Sequence, residues 1–156
     1  MSPSKIQTIV DHADIKDDDH VVEIGAGMGT VATHIARKAR HVTVVELDRT
    51  LCNVLRGHFE PARVHEGDAI EYLRTEENID IVISNLPSSL TRSVLDSLEQ
   101  HRRVRRAVIA MHENDEVKYT SSTHPSFQFA TLCTLFGEDF DPPQPFNSKL
   151  VLVTRT

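Results

Sequence analysis

The sequence predicts a doubly wound α/β fold with a mainly parallel sheet, formed as a single domain over residues 1–156. Short β-branched segments alternate five times with segments of helical period, and each parallel crossover needs a helix to return the chain. Hydrophobic residues make up 39% and charged residues 26% of the chain, which is typical of globular proteins. Because no apolar run approaches the ~20 residues that cross a bilayer, we expect no membrane segment.

The first half of the chain supplies the first two strands and the helices around them. Ile6, Ile9 and Val10 recur at helical spacing and predict a helix over 5–13. The pattern then predicts a strand at 21–24, a helix at 30–39, a buried strand at 41–47 and a helix through Leu51, Leu55 and Phe59. We expect the loop after the first strand to be tight, because it is rich in glycine.

The second half continues the alternation and then changes character. It predicts a short strand at 63–65, a helix at 69–74, a strand at 79–84, a helix at 91–100 and a strand at 107–111. Residues 127–136 are apolar and ambiguous, with a helix slightly favoured. Residues 149–154 predict a final strand after a short loop, and this connection suits an antiparallel strand at the sheet edge.

The charge balance limits the classes of partner. The net charge is −6, from 23 acidic and 17 basic residues, which argues against holding nucleic acid by bulk charge alone. The two cysteines, Cys52 and Cys133, are too few for a disulfide framework and predict reduced core thiols. No secretory signal is evident, so a cytoplasmic protein is expected. The nine histidines show no convincing metal-ligand spacing, and no metal site is predicted.

Two charge clusters have competing interpretations. Arg102, Arg103, Arg105 and Arg106 precede the fifth strand, and Asp17–Asp19 precede the first. Both fit solvated loops. The arginines also offer an RNA contact at the edge of the sheet away from the glycine loop. On that interpretation, replacing all four by glutamine leaves the melting temperature nearly unchanged and weakens RNA binding.

The strongest local signal is the segment 23–29, EIGAGMG, between the first strand and its helix. Its glycines let the backbone turn tightly and approach a ligand. Glu46 ends the next strand, about nineteen residues beyond Gly27, where a carboxylate can bind both ribose hydroxyls of a nucleotide-like cofactor. Thr30 stands where a dinucleotide site needs glycine, so no pyrophosphate is implied. The tight turn alone, with no ligand, is the alternative.

The segment 23–29 resembles the cofactor motif of S-adenosylmethionine-dependent methyltransferases. Asn85-Leu86-Pro87 after the fourth strand resembles the catalytic motif of amino-directed nucleic-acid methyltransferases. Across residues 5–155 the chain looks most like the rRNA adenine dimethyltransferase family, mainly through 81–98 (IVISNLPSSLTRSVLDSL) and 142–153 (PPQPFNSKLVLV). The resemblance implies a Rossmann-like methyltransferase sheet and methyl transfer to adenine N6 of RNA.

The resemblance also implies which residues form the site. Those expected to bind S-adenosylmethionine are Glu23, Gly25, Ala26, Gly27, Glu46, Leu47, Asp68, Ala69 and Asn85. Asn85 and the Leu86 carbonyl are expected to accept the N–H groups of the target amine, and Pro87 to fix their turn. Ser88 and His112 are candidates to contact substrate. Asp68 also fits an N-cap, and Asn-Leu-Pro also fits a strand-terminating turn.

Three departures from the family concern substrate. Ser88 stands where the family has an aromatic residue that stacks on the target base. Either another residue supplies that face, with Phe127 or Phe129 as candidates, or the substrate is not a stacked base. The family's segment before the first helix and its C-terminal helical domain, which contacts RNA, have no counterpart in these 156 residues. The resemblance makes RNA the expected partner, and the absence of the RNA-contacting domain from these residues adds a protein partner or a homodimer to the expectation. Alternatives are a methyltransferase for proteins or small molecules, a guanosine-directed RNA methyltransferase, and a catalytically silent binding module.

Overall fold

The computed structural model describes residues 1–60, 63–115 and 117–156. Its helices are α1 (Pro3–Ala13), α2 (Thr30–Ile35), α3 (Arg49–Arg56), α4 (Ala69–Thr75) and α5 (Thr91–Gln100). Its strands are β1 (His20–Ile24), β2 (His41–Glu46), β3 (Val64–Glu66), β4 (Ile81–Ser84), β5 (Arg106–His112), β6 (Phe127–Leu135) and β7 (Ser148–Arg155). Short 3-10 turns at Ser88–Leu90 and Gly137–Asp139 complete the described secondary structure.

The strands form one seven-stranded sheet in the order β3-β2-β1-β4-β5-β7-β6. The five strands from β3 to β5 are parallel, and β7 is antiparallel to both of its neighbours. Chain order reverses at β1, since β2 and β4 flank it, and such a reversal opens a crevice at the carboxyl ends of the strands. The predicted doubly wound, mainly parallel sheet is confirmed.

Two apolar clusters cover the two faces of the sheet. One cluster joins side chains of α1, α2 and α3 to the sheet, including Ile6, Ile35 and Leu55. The other joins α4 and α5, including Leu73, Leu95 and Leu98. Each helix turns its apolar stripe to the sheet, as its periodicity predicts. These helices hold the strand ends, and therefore the loops of the carboxyl edge, in a fixed arrangement.

The prediction for residues 127–136 is wrong, because this segment is the strand β6. Its pairing with β7 shifts register between Thr131 and Cys133, which marks a bulge. A bulge interrupts the two-residue alternation of a strand, and this interruption made the sequence pattern ambiguous. The predicted position of the last strand is also wrong: β7 is antiparallel, but it lies between β5 and β6, and β6 forms the edge.

Several smaller predictions need adjustment. The second helix ends at Ile35, before the predicted residue 39. Cys52 is a free, buried thiol as expected, whereas the free thiol of Cys133 is only half-buried because it lies on the edge strand. Within the described ranges, no helix is both long and apolar enough to span a bilayer.

Candidate active site

The carboxyl ends of β1, β2 and β4 lie side by side. Ile24, the last residue of β1, pairs with Val45 of β2 and with Ser84 of β4. The residues that follow in each strand are Gly25, Glu46 and Asn85. The topology therefore brings the glycine loop, the predicted ribose acid and the Asn-Leu-Pro segment to one edge, in the crevice where ligands bind in such sheets.

The glycine loop is held against its neighbours by close backbone contacts. Gly25 donates its N–H to Val45 O at 2.9 Å, and its φ is +69°. A Cβ at Gly25 would collide with the Cδ2 atom of Leu86, so a larger residue would force the Leu86 side chain to shift and would also strain the backbone at this positive φ. Gly27 also has a positive φ, of +57°, but a Cβ there would meet nothing within 4 Å. The loop thus leaves open space above Gly27, beside the half-buried Gly25 and the buried Ala26.

Glu46 organises the loop around it with backbone hydrogen bonds. Its Oε1 accepts the N–H of Gly27 at 3.0 Å, and its Oε2 accepts the N–H groups of Leu47 and Asp48 at 2.7 and 3.0 Å. These bonds fix the carboxylate at the crevice, and oxygens with several lone-pair sites can accept further hydrogens. The next side chain, Leu47, is 70% exposed at the same edge and offers an apolar surface.

Glu23 is a buried acid with an unsatisfied oxygen. Its side chain is only 2% exposed, and its Oε2 has no hydrogen-bond partner among the described residues. Burial raises the pKa of Glu23 to about 8, against a lowering by the Ala32 backbone N–H and with a smaller rise from nearby Glu46. An orphaned buried carboxyl beside a glycine loop fits a ligand that brings a cation or hydrogen-bond donor.

Asp68 begins α4 as an N-cap. Its Oδ1 accepts the N–H of Glu71 at 2.8 Å, so the capping interpretation is confirmed. The side chain is exposed, and Ala69 beside it is half-buried. Gly67 donates to Glu46 O at 3.0 Å, which places Asp68 on the loop adjoining Glu46. Capping uses one carboxylate oxygen for a backbone donor, and Asp68 can still receive another donor at the crevice.

The Asn-Leu-Pro segment leaves the sheet with unused acceptors. Asn85 is exposed directly after β4, and its side chain has no hydrogen-bond partner in the described part of the chain. The Leu86 carbonyl likewise accepts no hydrogen bond from a described residue. Pro87 accepts the N–H of Leu90 at 2.9 Å and so begins the short turn that contains exposed Ser88. This geometry presents two free oxygen acceptors at the strand end.

His112 ends β5 at the same edge and carries an aromatic neighbour. Its ring lies 5.6 Å from the ring of Phe146, centroid to centroid, at an interplanar angle of 39°. The expected substitutes for an aromatic at Ser88 are wrong: Phe127 and Phe129 pair with Arg155 and Val153, at the opposite end of the sheet. Phe146 had a usable signal in the sequence, since a residue just before an antiparallel strand lies at the carboxyl edge of its parallel neighbours.

The arginine cluster forms structural ion pairs at the opposite edge. Arg103 Nε lies 2.8 Å from Asp80 Oδ1, Arg106 Nη2 lies 3.7 Å from Asp14 Oδ2, and Arg105 pairs closely with Asp19. Asp19 is buried, which corrects the solvated-loop interpretation for that residue. These pairs tie β5 to the segments before β1 and β4, so Arg103, Arg105 and Arg106 are not free side chains of a solvated loop, and we expect them to contribute to stability. Arg102 alone of the four has no carboxylate partner among the described residues.

Metal ligation finds no support in the described geometry. Among residues 1–60, 63–115 and 117–156, no group of three or more His, Cys, Asp or Glu side chains could hold a metal ion. The described site presents the backbone of the glycine loop, the three acids Glu23, Glu46 and Asp68, and the acceptors of Asn85 and Leu86.

Comparison with known proteins gives this arrangement a family context. A family model described as "Ribosomal RNA adenine dimethylase" matches residues 1–138. A protein of Malacoplasma penetrans named "Ribosomal RNA small subunit methyltransferase A" is 29% identical over 135 residues, covering 83% of this chain and 50% of that protein. The chain thus spans about half the length of this relative.

Solved structures share the fold. The 23S rRNA methyltransferase ErmE superimposes with a TM-score of 0.86 at 21% identity, covering 100% of this chain and 69% of the other. TrmK of M. capricolum, solved with S-adenosyl-homocysteine, superimposes with a TM-score of 0.68 at 11% identity, covering 97% of this chain and 68% of the other. At these identities the likeness is one of fold.

Proposed function

The chain belongs to the ribosomal RNA adenine dimethylase family, and from this premise we propose that it transfers a methyl group from S-adenosylmethionine to the N6 amino group of adenine in RNA. We propose further that residues 1–156 act as one catalytic domain. The observation that carries the proposal is the pair of unused acceptors, Asn85 Oδ1 and Leu86 O, at the strand end beside the glycine loop. They fit a substrate that presents an amino group.

The residues of the edge fit the cofactor. The open space above Gly27 suits the part of S-adenosylmethionine that would lie against the loop backbone. The fixed carboxylate of Glu46 suits the two ribose hydroxyls of the cofactor. The orphaned Oε2 of Glu23 suits a donor from the amino-acid portion, and Leu47 supplies an apolar surface for the adenine ring. Asp68 and Ala69 lie on the adjoining loop, where the adenine amino group would meet a carboxylate.

The main task of the protein in the chemical step is to align the amine with the methyl group and its sulfur. S-adenosylmethionine supplies, when bound, a methyl group already activated on a sulfonium. The amine of adenine is a poor nucleophile because its lone pair is delocalised into the ring. Asn85 Oδ1 and Leu86 O each accept one N–H, which localises the lone pair toward the methyl group, and Pro87 holds both acceptors in place. Transfer would form the N–CH3 bond as the sulfonium S–CH3 bond breaks, with S-adenosyl-homocysteine as the leaving group, and the methylated amine would then release its extra proton to water.

The experiment uses methyl-labelled cofactor with unmodified ribosomal RNA and with total cell extract. We expect label in RNA, recovered after nuclease digestion as N6-methylated adenosine. Asn85→Ala should lower kcat by about 100-fold or more, the range found when one positioned polar group is removed from an active site. Asn53→Ala is the matched control, since Asn53 is an exposed asparagine on α3.

The outcomes separate the candidate functions. Label in protein or in small molecules, with none in RNA, would contradict the proposal in favour of another methyltransferase substrate. Binding of S-adenosyl-homocysteine in calorimetry, with no transfer to any fraction, would indicate a catalytically silent module. Equal activity of Asn85→Ala and the parent would remove Asn85 from the chemistry.

A further inference from the structure

The large exposed apolar side chains of the described residues gather at one edge of the sheet. Each follows the carboxyl end of a parallel strand or of β6, or comes just before β7. They are Met28, Leu47, Leu90, Val117, Phe136 and Phe146. Exposed apolar residues scattered singly need no explanation. Those that bear on the proposed site are the ones that the strand register places beside Asn85.

Two of these side chains are aromatic, and their surroundings differ. Phe136 already has a cation over its ring, since Lys5 Nζ lies 5.8 Å from the ring centroid. Phe146 instead packs against the ring of His112 and stays 45% exposed. His112 Nδ1 accepts the N–H of Asn114 at 3.2 Å, which holds the histidine ring in place. The Phe146 ring is therefore held in place by His112 and is still exposed enough to contact a ligand.

The register places this aromatic pair beside Asn85. Ser84 of β4 pairs with Ile109 of β5, and His112 lies three residues further along β5. His112 in turn pairs with Ser148, two residues after Phe146. Ile83 and Ala110 belong to the same apolar cluster, so the alternation of strands directs Asn85 and His112 to the same side of the sheet.

We propose that Phe146, supported by His112, is the aromatic wall on which the unpaired target adenine stacks while Asn85 and Leu86 hold its amino group. The inference rests on the proposed function. A base withdrawn from its stack needs an apolar or aromatic face to replace the lost contacts. Ser88 cannot supply such a face, and Phe127 is fully buried under Arg155, 4.4 Å from its ring centroid. Phe146 meets the requirement at the correct edge.

The experiment measures kcat and KM for methyl transfer to unmodified ribosomal RNA. Phe146→Ala should raise the KM for RNA about tenfold or more, in line with the known contribution of one base–aromatic stack. Phe146→Tyr keeps the ring and should restore the parent KM. Phe136→Ala is the matched control, an exposed phenylalanine of the same edge whose ring is already paired with Lys5. It should change KM by less than about threefold.

Two further measurements keep the outcomes separate. Calorimetric affinity for S-adenosyl-homocysteine and the melting temperature should be unchanged in Phe146→Ala, because the residue is exposed and away from the glycine loop. An unchanged KM for RNA in Phe146→Ala, or an equal rise in KM in Phe136→Ala, would overturn the assignment of Phe146 as the aromatic wall. The proposed function would be unaffected by that result, because the parent would still methylate RNA. Absence of RNA methylation in the parent would overturn the proposed function and this inference together.

Discussion

Glu46 links the glycine loop to the predicted ribose contact. Its carboxylate binds three backbone N–H groups, including that of Gly27, and faces the crevice between β1 and β2. Glu46→Ala removes a charged acceptor whose hydrogen bonds are worth about 1.5–3 kcal/mol each. We expect the affinity for S-adenosylmethionine to fall at least tenfold, measured by calorimetric titration. Glu71→Ala, an exposed acid on α4, should leave it unchanged. An unchanged affinity in Glu46→Ala would remove Glu46 from the site.

Glu23 makes stability depend on pH in an unusual direction for an acid. Burial raises its folded-state pKa to about 8 from the ordinary 4.5. Between these values the folded chain keeps a proton that the unfolded chain has released, so this group contributes less stability as pH rises. Glu23→Gln should therefore gain free energy of unfolding relative to the parent between pH 4.5 and 8, by an amount on the order of a few kcal/mol.

Urea denaturation of parent and variant at both pH values checks this expectation. Any cost of burying the glutamine amide is the same at the two pH values. The change with pH in the difference in free energy of unfolding between parent and variant therefore reports on the Glu23 proton alone. Glu71→Gln provides the exposed control on α4. A parent–variant difference that does not move with pH would show that Glu23 is ionised in the folded chain throughout this range.

The start of β5 depends on ion pairs that the sequence pattern did not assign to folding. Arg105 pairs with Asp19 and also donates to Asp14 O at 3.0 Å, so it joins β5 to the connection between α1 and β1. Arg105→Gln should lower the free energy of unfolding by about 1–3 kcal/mol, because it leaves buried Asp19 without its cation. Arg102→Gln, the exposed neighbour, should change it by less than about 0.5 kcal/mol.

Urea titration of the two variants decides between the interpretations of the cluster. Equal free energies of unfolding for Arg105→Gln and Arg102→Gln would support the interpretation of the whole cluster as a solvated loop. From these pairs we expect replacement of all four arginines by glutamine to lower the melting temperature, against the interpretation of the cluster as an RNA contact alone. The sequence does not predict this, because a run of charges does not show which carboxylates face it. Asp14, Asp19 and Asp80 are distant in the chain from β5 and meet it only in the folded sheet.

The elements that could be predicted are those whose signal is local. Helix α5 was expected over 91–100 and spans Thr91–Gln100, because its apolar stripe repeats without interruption. The glycine loop and Glu46 could equally be predicted from the sequence, since the turn and the following strand end lie within one β-α-β unit. Strand β6 was missed because a bulge breaks its alternation. The pair of His112 and Phe146 was missed because it depends on β7 lying beside β5.

The distribution of charge over the described residues predicts how strongly the RNA affinity of this chain depends on salt. The net charge is −6, and Arg103, Arg105 and Arg106 are committed to ion pairs at the edge away from the site. At the carboxyl edge, Lys118 is paired with Asp115 and Arg92 with Asp96. Cations there that lack a carboxylate partner among the described residues are Lys5, Arg49 and Lys149. Few phosphates can therefore be neutralised.

We accordingly expect a shallow salt dependence of RNA affinity. Each phosphate contact to single-stranded RNA contributes about −0.7 to the slope of log affinity against log salt, so Lys5, Arg49 and Lys149 together give about −2. Arg49→Gln should make the slope less negative by about 0.7. Lys38→Gln, near Asp11 and the opposite edge, is the matched control and should leave it unchanged. Fluorescence anisotropy of a labelled ribosomal RNA fragment across a salt series gives the slopes. A slope steeper than about −4 would mean that further cations reach the phosphates, with the arginines at the opposite edge the first to test.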